Sequence, residues 1–221
     1  MYLIIKRFFD IFSGLIALLI LSPIFLPIIL VLRLTAEGEV FYLQDRIGLN
    51  NKPFRIIKFA TMLKNSINMG TGSITLKDDF RVTKIGVFLR KSKINELPQI
   101  INIILGDISV VGPRPLVTKT FEAYSVPIQK KIYKKKPGLT GIGSVVFRDE
   151  ESIISSVKNE DPHHFYKRVI APYKGELEMW YQRKQSFTTD LKLIMLTAIS
   201  VFLPKNKLYL SWFRDLPIRS F

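Results

Sequence analysis

Two groups of residues near the middle of the chain have side chains suited to phosphate chemistry. Asn95 and Glu96 place an amide beside a carboxylate, and carboxylate oxygen is a ligand that Mg²⁺ prefers in proteins. Further along, Arg114 lies between Pro113 and Pro115. A guanidinium on a restrained backbone can donate two parallel hydrogen bonds to one phosphate. A carboxylate and a fixed guanidinium together indicate a site for a phosphate-bearing substrate.

The segment between these two groups predicts the elements that position them. Asn95 is a good helix N-cap, and Glu96 then falls in the first turn, where Pro98 is tolerated because its missing N–H would be unpaired anyway. A carboxylate in the first turn faces the positive end of the helix dipole, which keeps it ionised. The helix is expected to end at Gly106, and flanking prolines hold Arg114 in an extended backbone. Each half alone also fits an ordinary capped helix or an ordinary Pro-rich turn.

Taken together, the stretch INELPQIINIILGDISVVGPRP resembles the core signature of the bacterial sugar transferases, the monotopic phosphoglycosyl transferases. That family has Asp-Glu-Leu-Pro-Gln, then Asn, then Gly-Asp-Met-Ser, then Val-Gly-Pro-Arg-Pro. Shorter stretches at 44–48, 58–62 and 136–141 resemble other motifs of the family, and the resemblance extends from the N-terminal helix to about Thr197. One departure concerns the site, because Asn95 stands where the family has aspartate.

The resemblance implies a reaction and a set of partners. Members of the family transfer a phospho-sugar from a UDP-sugar to polyprenyl (undecaprenyl) phosphate and release UMP, with Mg²⁺ as cofactor, in the first membrane step of glycoconjugate assembly. Glu96 is then the expected Mg²⁺ ligand. The expected phosphate- and substrate-binding residues are Arg114, Pro113, Arg148, Lys58 and Arg90. The resemblance also implies a bacterial inner membrane, with the catalytic domain on its cytoplasmic face.

The nucleophile is the point at which the residues depart from the family. The family attacks with the aspartate that is Asn95 here, and a neutral amide cannot form that covalent intermediate. An Arg-Asn pair of the family falls on Arg148 and Asp149, so the acid and the amide have traded places. Three hypotheses follow. Asp149 supplies the missing carboxylate, which the exchange favours; Glu96 attacks instead; or the chain is a catalytically silent homologue that acts as a membrane-bound binding or scaffold protein.

Composition separates these classes from a soluble nucleic-acid binder. The 221 residues carry a formal net charge of +15 and a pI near 10.0, yet the mean hydropathy is +0.19. A chain that is both basic and apolar fits an anionic membrane surface and phosphate-bearing substrates. The basic residues are spread along the chain without a recognition motif, so no nucleic-acid partner is expected. The chain has no cysteine, which excludes disulfides and thiolate metal sites.

Residues 11–32 form an uncharged, mostly apolar stretch that is about long enough to cross a bilayer as a helix. Basic residues flank it on both sides, and the positive-inside rule favours the cytoplasm for both, which a single crossing cannot satisfy. Ser22 and Pro23 offer a bend, because proline removes a backbone hydrogen bond and serine can satisfy the freed carbonyl. We therefore expect a re-entrant helix broken at Ser22-Pro23, as the resemblance also implies. A membrane anchor that spans once is the alternative.

The remaining pattern predicts an α+β fold that is mainly helical. A small β-hairpin is expected between Val40 and Phe59, with its turn at 48–51. Residues 171–187 predict an amphipathic helix whose aromatic residues lie at the membrane interface, and 190–203 predict a second apolar helix too short to span.

These elements suggest three parts. Residues 1–36 are expected to form the re-entrant membrane helix, 37–203 a cytosolic, membrane-docked catalytic domain, and 204–221 an aromatic and basic tail. The lipid bilayer is therefore an expected partner, and a homo-oligomer is left open.

Overall fold

The computed structural model describes residues 2–219 except 71, 73, 77, 158, 159 and 205. Within these residues the fold is mainly helical, with two small sheets of two strands each, which agrees with the expected α+β class. The helices are α1 (Tyr2–Leu34), α2 (Lys84–Lys91), α3 (Gln99–Leu105), α4 (Thr118–Phe121), α5 (Val126–Ile132), α6 (Ile142–Val146), α7 (Glu150–Ser156), α8 (Pro162–Phe165), α9 (Ala171–Lys184), α10 (Phe187–Phe202) and α11 (Leu208–Trp212). The strands are β1 (Phe41–Ile47), β2 (Pro53–Phe59), β3 (Ser109–Val111) and β4 (Gly138–Thr140).

The predicted β-hairpin is confirmed. β1 and β2 pair antiparallel along their whole length, and the register ends with Ile47 opposite Pro53. In the turn, Asn50 and Asn51 have left-handed φ angles of 54° and 59°, which asparagine adopts more readily than most residues. The hairpin matters for the site because β2 carries Lys58.

The side chain of Asn102 joins this hairpin to α3. Its Oδ1 accepts a hydrogen bond from the backbone N–H of Ile57 at 2.9 Å, and its Nδ2 donates to the carbonyl of Arg55 at 2.9 Å. A buried amide thus satisfies two backbone groups on the outer edge of β2. The contact fixes the position of β2 relative to the segment that precedes α3.

The structure contains a second small sheet that the sequence pattern did not predict. β3 and β4 pair in parallel, with Ser109 opposite Gly138 and Val111 opposite Thr140. Each strand has three residues, which is too short for an alternating pattern to stand out. Glycine allows the two backbones to approach, because a Cβ at Gly138 would lie 2.0 Å from the backbone nitrogen of Gly112.

The start of α3 differs from the expectation. Asn95 is not an N-cap: Asn95 and Glu96 lie in a separate 3₁₀ turn, and α3 begins at Gln99 after Pro98. An N-cap at Asn95 would need N–H donors at Leu97 and Pro98. The N–H of Leu97 already bonds to a carbonyl within the 3₁₀ turn at 3.0 Å, and proline has none. The predicted end of the helix is confirmed, since Gly106 has a left-handed φ of 93°.

The prediction that residues 171–187 lie at the membrane interface is wrong. α9 is the central helix of the main core, and its aromatic residues Tyr173, Trp180 and Tyr181 are all 5% exposed or less. The aromatic tail also turns inward, because Phe213 is 7% exposed and stacks edge-on against Trp180 at 5.1 Å. Aromatic residues spaced along a helix are compatible with either a protein core or a membrane interface, and in this structure they are buried in the core.

Polar contacts fix the first turns of α1 to the domain. Asp10 is 2% exposed, and it accepts hydrogen bonds at 2.9 Å from the Ser109 hydroxyl and from the backbone N–H of Val110. Arg7 donates to the carbonyls of Ile103 and Ile104 at 2.6 and 2.8 Å. These bonds place the start of α1 against α3 and β3.

The other end of α1 packs on the same domain. Leu32 is 0% exposed and lies in a small apolar cluster with Phe59 and Leu89. Between the two anchored ends, α1 is long and apolar enough to cross a membrane, and only 6% of its most apolar window is buried. A helix so exposed and so apolar associates the chain with a membrane.

Ser22 and Pro23 lie within this exposed stretch. The Ser22 hydroxyl donates to the carbonyl of Leu19 at 2.8 Å, which is the carbonyl that Pro23 leaves without an N–H donor. The expected compensation by serine is therefore present. The helical backbone runs through this position without an interruption.

The bonds of Asp10 generate a stability prediction. Asp10→Ala leaves a buried N–H and a buried hydroxyl without their acceptor, and each such loss costs about 1–3 kcal/mol. We expect a clear decrease in thermal unfolding temperature, measured by differential scanning fluorimetry in detergent. Asp45→Ala is the matched control, because its side chain is 83% exposed and surface changes stay within about 0.5 kcal/mol. Equal decreases for the two variants would contradict the assignment.

Candidate active site

The two groups of residues singled out in the sequence meet as an ion pair. Nη2 of Arg114 donates to Oε1 of Glu96 at 2.7 Å, and Nη1 donates to Oε2 at 3.4 Å. The Glu96 side chain is 15% exposed and that of Arg114 is 32% exposed. The paired donors fix the plane of the guanidinium, and its exposed part can still receive an anion.

The backbone around Arg114 is held on both sides. The Tyr133 hydroxyl donates to the Arg114 carbonyl at 2.7 Å and accepts from the N–H of Leu116 at 3.0 Å. The Pro113 carbonyl accepts from the first N–H of β4 at 2.9 Å. The restraint that the prolines predict is thus reinforced by hydrogen bonds, and the structure gives Pro113 a backbone role in this restraint.

Glu96 lies at the centre of a cationic cluster, and Glu150 and Glu151 also interact electrostatically with Arg114. Burial by itself would raise the pKa of Glu96, but the charges of Arg114 and Lys58, with the hydrogen bonds from Arg114, hold that pKa well below its usual range. Glu96 is therefore ionised. The cationic side chains that interact electrostatically with it are Lys58, Lys93, Arg46, Arg114 and Arg148.

Lys58 and Arg46 form the hairpin side of this cluster, together with Gln44. Oε1 of Gln44 accepts from Nη2 of Arg46 at 2.6 Å and from Nζ of Lys58 at 3.3 Å. Burial lowers the pKa of Lys58 well below its usual value, and the charge of Arg46 lowers it further. Burial and the charge of Arg114 lower the pKa of Arg46 to about 10. Like charges held so close together favour a bound anion.

Arg46 and Gln44 are site residues that the sequence analysis missed. Their motif at 44–48 was compared with the family, but no role was given to either side chain. Alternation along β1 places both side chains on one face of the strand, and Lys58 stands opposite this strand on β2. That cross-strand register is the signal that could have identified them.

The structure separates Arg148 from Asp149. Burial lowers the pKa of Arg148, and the charge of Glu96 opposes this shift, so Arg148 lies near enough to Glu96 to interact with it. Asp149 is exposed, and its charge raises the pKa of Tyr209, in addition to the effect of burial on that hydroxyl. The side chains of Arg148 and Asp149 therefore lie in different surroundings.

Arg90 lies at the rim of the cluster. Its Nη2 donates to Oε1 of Glu151 at 3.1 Å, and its charge contributes to the lowered pKa of Lys58. Arg90 is thus near enough to influence the cluster, while its guanidinium is directed to the start of α7.

In each of two buried amide side chains of the site, one polar atom lacks a hydrogen-bond partner within the described part of the chain. Asn95 is 6% exposed and Gln99 is 2% exposed. Among the described residues, Oδ1 of Asn95 and Nε2 of Gln99 find no hydrogen-bond partner. Gln99 also lines a small cleft with Arg46, Lys58 and Arg114. Unpaired buried polar atoms beside a cleft are typical of positions completed by a ligand.

The arrangement defines a class of protein. An exposed apolar helix associates the chain with a membrane, and the five cations around Glu96 have the charge and the hydrogen-bond donors that suit phosphate groups. Within the described part of the chain there is no cluster of three His, Cys, Asp or Glu residues for a metal.

The chain belongs to the bacterial sugar transferase family, whose family model matches residues 1–204. The uncharacterised sugar transferase EpsL of Bacillus subtilis is 37% identical over 204 residues, which cover 92% of this chain and 90% of that protein. A UDP-glucose:undecaprenyl-phosphate glucose-1-phosphate transferase of Klebsiella pneumoniae is 34% identical over 92% of this chain, but only 41% of that protein is covered. The exopolysaccharide production protein ExoY of Sinorhizobium fredii is 36% identical over 69% of this chain and 73% of its own length. The family resemblance is confirmed.

The crowded cations generate a pH prediction, with inorganic pyrophosphate as the probe. A bound anion favours the charged form of Lys58. Because the pKa of Lys58 is lowered well below 10.5, rising pH removes its charge earlier than that of an ordinary lysine. We therefore expect pyrophosphate affinity, measured by calorimetry, to fall more steeply with rising pH for this chain than for Lys58→Arg, which stays charged. Ionisation of pyrophosphate itself is common to both titrations. Parallel profiles would show that Lys58 does not contact the anion.

Proposed function

We propose that the chain transfers a phospho-sugar from a UDP-sugar to polyprenyl phosphate, giving a polyprenyl-diphosphate-sugar and UMP. The observation that carries the proposal is the excess of cations over carboxylates, because a diphosphate donor and a phosphate acceptor bring several negative charges into one site. Names of relatives agree, since the Klebsiella protein acts on UDP-glucose and undecaprenyl phosphate. A relative in Aeromonas hydrophila is named for UDP-N-acetylgalactosamine, so the sugar varies among relatives.

In the proposed reaction, the side chains hold phosphates and neutralise charge. Arg114 and Lys58 take the donor diphosphate, and Arg148, which interacts electrostatically with Glu96, adds a further positive charge. An oxygen of the acceptor phosphate attacks the phosphorus that bears the sugar. The bond from this phosphorus to the bridging oxygen breaks, and UMP leaves with the electron pair. Fixed cations stabilise the charge that develops on the leaving phosphate.

We propose a direct attack because none of the three positions expected from the sequence places a carboxylate to be the nucleophile. Asn95 is neutral, Asp149 is exposed outside the cluster, and both oxygens of Glu96 accept hydrogen bonds from Arg114. A carboxylate of strongly lowered pKa is a weak nucleophile. This proposal departs from the interpretation of the sequence that favoured Asp149.

The residues present fit a Mg²⁺ ion held jointly with the diphosphate. Glu96 and Oδ1 of Asn95, which is buried without a hydrogen-bond partner among the described residues, offer two hard oxygen ligands. When bound, Mg²⁺ neutralises negative charge on the phosphates. Glu96 would then be shared between the ion and Arg114.

A second candidate function is binding without turnover, as a membrane-bound scaffold. The observation in its favour is the neutral amide at Asn95, where the family has its carboxylate. A cationic site would still hold a UDP-sugar or polyprenyl phosphate. The two candidates differ in whether UMP is released.

We further propose that α1 enters and leaves the bilayer on one side, with its bend at Ser22-Pro23, and that the domain faces the cytoplasm. A helix of its length measures about 50 Å when straight, against about 30 Å of hydrocarbon. The contacts of Asp10 with β3 and of Leu32 with the hairpin cluster bring both ends to one domain. A single crossing would separate those ends.

The test of turnover is UMP release from a panel of UDP-sugars with undecaprenyl phosphate and Mg²⁺, using the full chain in detergent. We expect turnover that needs the acceptor, and a loss of at least about 100-fold in Glu96→Gln, because the charge that orients Arg114 is gone. Chelation of Mg²⁺ should give a comparable loss. Asp149→Asn should stay within about threefold, like the exposed control Asp45→Asn.

Other outcomes identify the alternatives. Stoichiometric UMP release without acceptor, with a phospho-sugar on a peptide containing Glu96 or Asp149, would overturn the direct attack and name the nucleophile. A silent chain whose activity is restored in Asn95→Asp would establish the binding function. If the chain is active, we expect Asn95→Asp to release one equivalent of UMP without acceptor, because the substitution adds a carboxylate beside Glu96.

The topology test uses the absence of cysteine from the chain. Ile4→Cys and Leu34→Cys, at positions 76% and 84% exposed, should react with an impermeant maleimide from the same side of sealed vesicles. Leu19→Cys, 75% exposed, should be protected from both sides. Reaction of the two end positions from opposite sides would establish a single crossing.

A further inference from the structure

A buried pair of charges on α9 has no part in the proposed chemistry. Lys174 and Glu178 are one helical turn apart, and their exposures are 4% and 2%. Burying an ammonium and a carboxylate costs several kcal/mol per group unless partners compensate. The contacts of both side chains lead to the segment that joins α6 to α7, which contains Arg148.

Lys174 contacts the residues on both sides of Arg148 and Asp149. Its Nζ forms an ion pair with Oε2 of Glu150, the first residue of α7. The same Nζ lies 5.6 Å from the centre of the Phe147 ring, within the range of a cation–π interaction. One ammonium thus holds the residue before Arg148 and the residue after Asp149.

Glu178 holds the beginning of the same segment. It accepts a hydrogen bond from the N–H of Gly143 in the first turn of α6. The fit is close, because a Cβ at Gly143 would lie 2.3 Å from Oε1 of Glu178. Burial raises the pKa of Glu178 to about 7, against the charge of Lys174 and the bond from Gly143. α9 therefore fixes residues 143–150 at both ends.

The fixed segment carries a cation of the site. Arg148 interacts electrostatically with Glu96 and with Lys93, so it is part of the cluster. Its segment has no strand pairing and only the short helices α6 and α7. Val145, Val146 and Phe147 of this segment are also buried in the main core, so the contacts of Lys174 and Glu178 add to that packing in holding Arg148.

We propose that Lys174 is a positioning residue for phospho-sugar transfer: by holding Phe147 and Glu150 it keeps Arg148 directed at Glu96, without touching substrate. The proposal deepens the proposed function and rests on it for its kinetic readout. Displacement of a catalytic group by about 1 Å can cost up to about 100-fold in rate. Lys174 would limit such a displacement of Arg148 through its ion pair with Glu150, two positions along the chain.

The experiment is a double-mutant cycle in the full chain. Lys174→Met should reduce kcat/KM about tenfold, Arg148→Ala should reduce it more, and the double variant should be no worse than Arg148→Ala alone. Lys174→Arg should restore most of the activity because it keeps the charge. Lys192→Met is the matched control, since Lys192 lies 5.7 Å from the ring of Phe213, and its activity should be unchanged. If the loss of kcat/KM in the double variant equals the product of the two single losses, the proposal is wrong.

Hydrogen–deuterium exchange separates this proposal from the proposed function, because it needs no turnover. We expect faster exchange confined to residues 142–153 in Lys174→Met, with the rest of the chain unchanged. That result in a chain that releases no UMP would support the positioning of the segment and reject the transferase reaction. Unchanged exchange at 142–153 would reject the positioning role. If Lys174→Met does not fold, Glu150→Gln removes the same ion pair at a side chain that is 27% exposed, and the same two readouts apply.

Discussion

The ion pair between Glu96 and Arg114 is the interaction on which the site depends. It joins two segments 18 residues apart, the 3₁₀ turn before α3 and the loop after β3. A partly buried pair of this kind contributes little net stability, because desolvation offsets much of the attraction. Its value lies in geometry, since each partner fixes the other. Four further cations then surround a carboxylate that is already engaged by Arg114, and their excess positive charge favours a negatively charged ligand.

Close backbone contacts help to fix the loop that carries Arg114. β3 and β4 come within reach because both strands are bordered by glycines, and a Cβ at Gly141 would lie 2.2 Å from the carbonyl oxygen of Gly112. Tyr133 then bonds to the backbone on either side of Pro115. The short parallel strand pair and the hydrogen bonds of Tyr133 together hold the backbone of Arg114 without a large sheet.

The sequence predicted local features well and long-range ones poorly. The hairpin and Gly106 follow from nearby residues, because turn chemistry and a left-handed C-terminus are local. The failure at Asn95 has a local cause too, since Pro98 removes a donor that an N-cap needs. Burial of the α9 aromatics and recruitment of Arg46 depend on what packs against them, and neither is encoded in a short pattern. Glu96, Arg114, Lys58 and Arg148 were named from the family motifs and meet at one place.

The amide at Asn95 changes the electrostatics of the site in a definite direction. A carboxylate there would offset one more cation, so the neutral side chain leaves the cluster one unit more positive than the family pattern. A larger excess of positive charge strengthens the hold on a diphosphate before and after transfer. Uniformly tighter binding does not by itself speed a reaction, because only stabilisation of the transition state does. Under the proposed function, turnover then depends on how well the cations that remain, Arg148 among them, are aligned with Glu96.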